Sequence, residues 1–336
     1  MPFLTEIPQA LDASKLTYSL TTNPRDVPDE ITANTSKDTI CTDHMIFATW
    51  RETIGWSTPE IKPYGPLSLL PTASCLQYAT ECFEGLKVYR GYDGKLRLFR
   101  ADRNGERLHM SAERISLPQF DPPELKKLLA ALVSVDAPKW LPKDRAGHYL
   151  YLRPTIIGSQ PQLGVQAPNE AMLYIIMAYV PRVDNSSGGM WLHTSPEGMV
   201  RSWVGGFGHA KVGANYGPSV LATKGILCQG FHQILWLYGE QGECTEAGGS
   251  NFFVIWRRKD GKKELITAPL EDQLILDGIT RRSCLELARQ RLSNDLEIME
   301  RKYTIRELME AEVEGRLLES FAAGTAVSLF PHPLPI

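Results

Sequence analysis

The sequence predicts an α+β fold in two domains, on three observations. Strand-like and helix-like runs are mixed along the whole chain rather than segregated. The first half is dominated by β-type elements, whereas short strands and helices alternate in the second. Between the halves, "PRVDNSSGGM" (Pro181–Met190) is small and polar, the composition of a linker. The expected division is residues 1–180, an α+β domain with an N-terminal arm, a linker at 181–190, and a second domain at 191–336.

The elements follow in order. The first forty residues are polar and punctuated by prolines, so an extended arm is expected. "LKVYRGYDGKLRLFR" (Leu86–Arg100) places two alternating runs around Asp93-Gly94, a hairpin pattern. "DPPELKKLLAALVSVDA" opens with Asp121 as a cap and prolines in the first turn, then carries a helical apolar stripe. "YLYLRPTII" and "MLYIIMAYV" are rich in β-branched and aromatic residues and read as strands. After the linker, "PSVLATKGILCQG" is a short helix ending near Gly230, and "QILWLYG" and "NFFVIW" are strands. "TRRSCLELARQRL" is a helix with Thr280 as its cap. "TIRELMEAEVEG" carries a capping box, Thr304 with Glu307, and stops at Gly315.

Composition narrows the function. The chain has 336 residues, 43% apolar and 22% charged, and a net charge of −3. That balance gives no bulk attraction to nucleic acid or to an anionic membrane. No apolar run approaches membrane-spanning length. The N-terminus has no charged-then-apolar signal pattern, and it places Glu6 and Asp12 before its first basic residue, Lys15, so a cytosolic location is expected. Six cysteines, at 41, 75, 82, 228, 244 and 284, form no C-x-x-C and are expected to be free thiols in a reducing compartment. The histidines form no H-x-x-x-H pair, and no metal is expected.

Several short stretches could carry chemistry, each with a bland alternative. In "GFGHAKVGANYG", Lys211 stands among glycines and small residues. Such a lysine can form a Schiff base with a carbonyl cofactor, because nothing bulky obstructs a flat ring; a solvated surface charge is the other reading. Glu246 in "GECTEAGGSNFF" either faces a protonated pyridine nitrogen or opens a strand beside a turn. "LDGITRR" offers helix N-terminal amides to a phosphate, as many helix starts do. Arg107 can grip a phosphate bidentately or lie on a solvated helix face. Arg153 in "YLRPTIIG" meets a substrate carboxylate or a structural partner. "AAGTAVSLF" is a small-residue turn with amides suited to a carboxylate.

Together, "GHAKVGANYGPSVLATKG", "QILWLYGEQGECTEAGGSNFFVIW" and "LDGITRR" strongly resemble the branched-chain aminotransferase family, whose members have the type IV fold of pyridoxal-phosphate enzymes. "LQYATECFEGLKVYRG", "RNGERLHMSAERISLP" and "YLYLRPTIIGSQPQLGV" agree in family order, and the arm "LDASKLTYSLTTNP" resembles the eukaryotic branch. The resemblance implies a small α/β domain and a larger β-barrel-like cofactor domain with flanking helices. It implies transamination between branched-chain L-amino acids and 2-oxoglutarate, pyridoxal 5′-phosphate as cofactor, and a homodimer.

The resemblance also assigns positions. Lys211 matches the Schiff-base lysine and Tyr216 the tyrosine that donates to the ring oxygen. Glu246 matches the pyridine-nitrogen carboxylate and Arg107 the phosphate arginine. Ile279 and Thr280 match phosphate-binding amides, and Thr325 and Ala326 the turn for phosphate and substrate carboxylate. Tyr78, Phe83 and Tyr151 match the apolar walls, and Arg153 the group for the distal carboxylate of glutamate or 2-oxoglutarate. Three departures stand out. Gly249 occupies the place of a threonine, Val327 and Phe330 replace a redox cysteine pair of some members, and "VSLFPHPLPI" stands where the family continues, so a shortened second domain is expected. Related type IV activities, a D-amino-acid transaminase or an aminodeoxychorismate-type lyase, and a non-catalytic remnant are the alternatives.

Overall fold

A computed structural model describes residues 8–182, 189–325 and the backbone of 330–331. Most of the expected linker, residues 183–188, lies outside them, as do Ala326 and Val327. Contacts divide the chain into two compact units, 1–184 with 211–214, and 185–210 with 215–336. Lys211–Ala214 thus belongs with the first unit, against the sequence expectation. The reason is pairing: Val212 bridges to Cys82, and the Phe83 N–H donates to the Lys211 carbonyl at 3.1 Å.

In the first unit nine strands form one sheet. Its centre is an antiparallel pair, Tyr149–Gly158 with Glu170–Val180, in register from Tyr149↔Val180 to Gly158↔Ala171. His44–Arg51 continues the sheet on one side, and Leu86–Arg90 and Leu96–Leu98 on the other, the latter two forming the expected hairpin. Leu150, Leu152 and Ile156 alternate into the core, where the period-2 pattern of the strand puts them.

Two helices contribute to this core. Ala101–Arg114 buries Asn104, Arg107, Leu108, Ser111 and Ala112, one face at helical spacing. Pro122–Trp140 buries Leu125, Leu128, Leu129 and Leu132. It starts where the prolines predict, although Asp121 makes no side-chain cap bond, and it continues through Pro138, past the expected end. The first forty residues are not wholly extended: Asp29 caps a short helix, Glu30–Thr35. The arm is pinned further on, where the Thr21 N–H donates to His44 Nε2 at 2.9 Å and His44 Nδ1 meets the buried Asp136 at 2.6 Å.

The second unit holds an eight-stranded sheet. Ser250–Arg257 is its hub, pairing with Glu243–Ala247, Lys263–Thr267 and Leu317–Ala323. Phe253 is fully buried and stacks on Phe321 with ring centroids 4.8 Å apart. Glu264, also buried, accepts from Trp256 Nε1 at 2.6 Å. The helix Ile305–Val313 has the expected capping box: Thr304 Oγ1 accepts from the Glu307 N–H, and Glu307 accepts from the Thr304 N–H at 2.8 Å. Ile279–Arg291 is capped by Gly278, not by Thr280, which lies in its first turn. Among the described residues no helix is long and apolar enough to cross a membrane.

Phe253 tests the second unit's core. Phe253→Ala removes a buried ring and is expected to cost about 3–5 kcal/mol. Urea unfolding followed by tryptophan fluorescence measures it, and a loss within experimental error of zero contradicts this packing.

Candidate active site

In the first unit the site is built around Glu84. This carboxylate has no exposed surface. It accepts from Arg107 Nε at 2.6 Å and Arg107 Nη2 at 3.0 Å, from Asn104 Nδ2 at 2.7 Å, and from the Gly85 N–H at 3.0 Å. Arg107 is itself buried, not on a solvated helix face. Burial pushes the Glu84 pKa up. The charge and hydrogen bonds of Arg107, with the Lys211 ammonium and Asn104, outweigh this and hold it below the ordinary carboxylate value.

Lys211 is fixed from two sides in the same unit. Its N–H donates to Ser111 Oγ at 2.9 Å, one turn along the helix from Arg107, and its carbonyl accepts from Phe83. Its Nζ stands 4.9 Å from the centroid of the Phe83 ring. A Cβ at Gly213, two residues on, would meet the Glu81 side chain, which would have to turn aside. Arg153 lies over the other sequence-predicted residues, 4.6 Å from the Phe83 centroid and 5.3 Å from that of Tyr151. Its Nε is buried without a hydrogen-bond partner. Tyr78 is placed differently: it is 38% exposed, and its hydroxyl accepts from the Gly164 N–H at 2.9 Å.

The second unit gathers the remaining positions at one end of its sheet. Glu246 pairs with Asn251, which pairs with Ala323 on the next strand. Glu246 is 1% exposed, and its Oε1 accepts from Asn251 Nδ2 at 3.2 Å and from the Leu276 N–H at 3.1 Å. Arg201 Nη1 forms an ion pair with Oε2 at 2.8 Å. Asn251 also donates to the Leu276 carbonyl at 2.8 Å, which ties this row to the loop leading into Ile279–Arg291. A Cβ at Gly278 would collide with Asn251 Oδ1, so the helix start approaches the sheet as closely as glycine allows. No side chain caps this start, which leaves the first-turn amides of Ile279 and Thr280 without one. Gly324 and Thr325 follow Ala323 directly, and a Cβ at Gly324 would press on Ser250. Tyr216 is half-buried in this unit, and a Cβ at Gly249 would meet nothing within 4 Å.

Glu84, Ser111, Arg201 and Asn251 were not singled out by sequence reasoning. The helix 101–114 carried a usable signal: Asn104, Arg107 and Ser111 recur at helical spacing on its buried face. Arg201 carried none, because nothing in "VRSW" shows that it meets Glu246.

The first unit holds a lysine among small residues and an arginine oriented by a buried carboxylate, and the second a buried carboxylate and an uncapped helix start; each suits one part of a flat anionic cofactor with a basic ring nitrogen. The family model described as amino-transferase class IV matches residues 81–327. The chain belongs to this family. It is 47% identical over 292 residues to the mitochondrial branched-chain-amino-acid aminotransferase of Schizosaccharomyces pombe, covering 86% of this chain and 67% of that one. It is 46% identical over 293 residues to the cytosolic branched-chain-amino-acid aminotransferase of Saccharomyces cerevisiae, covering 86% and 77%. Among solved structures it resembles the branched-chain aminotransferase of the thermophilic archaeon Thermoproteus uzoniensis with norvaline, at a TM-score of 0.67 and 25% identity, covering 85% of this chain and 86% of that one.

The Glu84–Arg107 pair makes a pH-dependent contribution. Glu84→Ala leaves Arg107 buried without its anion and is expected to cost about 3–5 kcal/mol. For a carboxylate whose folded pKa is depressed, the stabilisation is present above the unfolded value, about 4.3, and is lost as pH falls through the folded one. The stability gap between the parent and Glu84→Gln is therefore widest near neutrality and closes in acid. Urea titrations at several pH values check this, and a gap that grows on acidification contradicts it.

Proposed function

We propose that this chain is a pyridoxal-phosphate-dependent branched-chain-amino-acid aminotransferase. It moves the amino group between L-leucine, L-isoleucine or L-valine and 2-oxoglutarate, and it works in the cytoplasm as a homodimer. The observation that carries the reading is Lys211. Its backbone is held by Ser111 on one side and Phe83 on the other, and its long side chain rises from a segment of small residues.

Pyridoxal phosphate, when bound, would supply an electron sink at the substrate Cα. Lys211 Nζ would hold and move the substrate Cα proton, as base and then acid. Glu246, oriented by Arg201, Asn251 and the Leu276 N–H, would hold the ring nitrogen of the cofactor. Tyr216 would donate to the ring oxygen. Arg107, oriented by Glu84, would bind the phosphate group, as would the amides of Ile279 and Thr280 and the turn at Thr325 and Ala326. Phe83 and Tyr151 would face the branched side chain, and Arg153 would take the distal carboxylate of glutamate or 2-oxoglutarate. Residues 1–180 act as the small domain and 191–336 as the cofactor domain, with Lys211 contributed from a segment packed on the former.

The dimer is supported by Leu163 and Val165, 63% and 89% exposed within one chain, which a second copy would cover. The cytoplasmic assignment is supported by six free thiols, suited to a reducing compartment.

The test is an amino-donor screen. With 2-oxoglutarate as acceptor, leucine, isoleucine and valine are expected to yield glutamate, and Lys211→Ala is expected to lose turnover by at least about 10³-fold. Glutamate formation from none of the three donors, or an unchanged rate in Lys211→Ala, sinks the assignment.

A further inference from the structure

Where the strands Glu81–Phe83, Leu86–Arg90 and Tyr149–Gly158 meet, one face of the first unit's sheet carries two cations that no carboxylate among the described residues neutralises. The register pairs Phe83 with Thr155, Lys87 with Tyr151 and Tyr89 with Tyr149. Side chains alternate along strands, so Phe83, Gly85, Lys87 and Tyr89 share a face with Tyr149, Tyr151 and Arg153. Leu86 and Val88, buried on the opposite face, confirm the alternation. Gly85 leaves room on this face for Tyr151, whose hydroxyl a Cβ at that position would strike.

Arg153 is the first cation. Its polar contact is the Tyr151 hydroxyl at 3.5 Å, too long to count as more than a weak hydrogen bond, and its Nε has no partner. Lys87 is the second. It is only 7% exposed, and its ammonium lies 4.1 Å from the centroid of the Tyr149 ring. Burial pushes its pKa down. Aromatic faces offset only part of the cost of taking an ammonium out of water. A fold that keeps two such groups on one face is built for an anion that arrives from outside.

The branched-chain donor has no charge beyond its α-amino and α-carboxylate groups, whereas its reaction partner carries a second carboxylate. We propose that Lys87 is a second contact for the distal carboxylate of the dicarboxylate substrates, acting beside Arg153. The inference rests on the transamination reading above. The two cations differ in kind. The guanidinium of Arg153 is fixed between two rings, whereas the lysine has a flexible four-carbon stem. Lys87 rests on Tyr149 while a branched side chain occupies the site and swings to the carboxylate when glutamate or 2-oxoglutarate binds. One site thereby accepts an apolar and an anionic side chain in turn.

The test uses the cofactor-loaded enzyme with Lys87→Met, which keeps an unbranched apolar stem, and Lys87→Arg, which keeps the charge. For Lys87→Met, kcat/KM for glutamate and 2-oxoglutarate is expected to fall about ten- to a hundredfold, mainly through KM, the loss typical of one charged hydrogen bond. The leucine half-reaction in single turnover is expected to stay within about twofold, and Lys87→Arg to recover part of the loss. Calorimetric binding of glutarate, an unreactive dicarboxylate, is expected to weaken in parallel, while that of 4-methylpentanoate holds. The Tm of Lys87→Met is expected at or above the parent value, because an unpaired buried charge is removed. Equal losses for leucine and glutamate, or unchanged glutarate affinity in a folded Lys87→Met, overturn the proposal while leaving transamination standing. A parent enzyme that transaminates neither leucine nor glutamate overturns the functional reading, and this inference with it.

Discussion

A carboxylate buried without any solvent contact must find its counter-charge inside the protein, and in the first unit Glu84 imposes that constraint. Arg107 and Asn104 meet it from one helix, which is thereby locked against the strand Glu81–Phe83. The same buried helix face then presents Ser111, one turn on, to the Lys211 N–H. One electrostatic requirement fixes the helix, and the helix fixes the backbone of the candidate catalytic lysine. This explains why Lys211–Ala214 packs with residues far earlier in sequence rather than with its chain neighbours.

The second unit solves a similar problem with strand register. Glu246, Asn251 and Ala323 lie in one row across three strands, so a carboxylate, an amide and a small-residue turn arrive at one end of the sheet without adjustment. Asn251 connects that row to the segment preceding Ile279–Arg291, since its amide donates both to Glu246 and to the Leu276 carbonyl. Glycine is used where backbone must come close: Gly278 at the helix start and Gly324 at the turn each lack room for a Cβ.

The strands and helices of strong period were legible in the sequence. Tyr149–Gly158, the Asp93-Gly94 hairpin and the Thr304–Glu307 capping box all follow from local pattern and appear as expected. Local pattern did not give the short strands Glu243–Ala247 and Leu317–Ala323, whose polar and acidic residues obscure the alternation, or the helix Glu30–Thr35 inside an otherwise extended arm. Nor could it choose Gly278 over Thr280 as a cap, because a side chain at the cap position would have met Asn251, a contact set by tertiary structure. Of the candidate site, Lys211, Glu246, Arg107 and Arg153 were visible through long motifs. The groups that orient them, Glu84, Ser111, Arg201 and Asn251, were not, since an orienting residue is defined by what it touches.

The distribution of charge separates structure from function on this fold. Arg107 with Glu84 and Arg201 with Glu246 are buried and compensated, so each needs nothing further to be stable. Such pairs are weak sources of stability but strong sources of orientation, because neither partner can turn without stranding the other. Arg153 and Lys87 are the opposite case: cations held against aromatic rings, with no carboxylate among the described residues to satisfy them. A fold selected for stability alone would exchange such groups for apolar ones of similar size at a gain. Their retention on one face, facing rings and flanked by Phe83, makes sense where the missing charge is supplied by the substrate, and only in the half of the reaction that brings a second carboxylate.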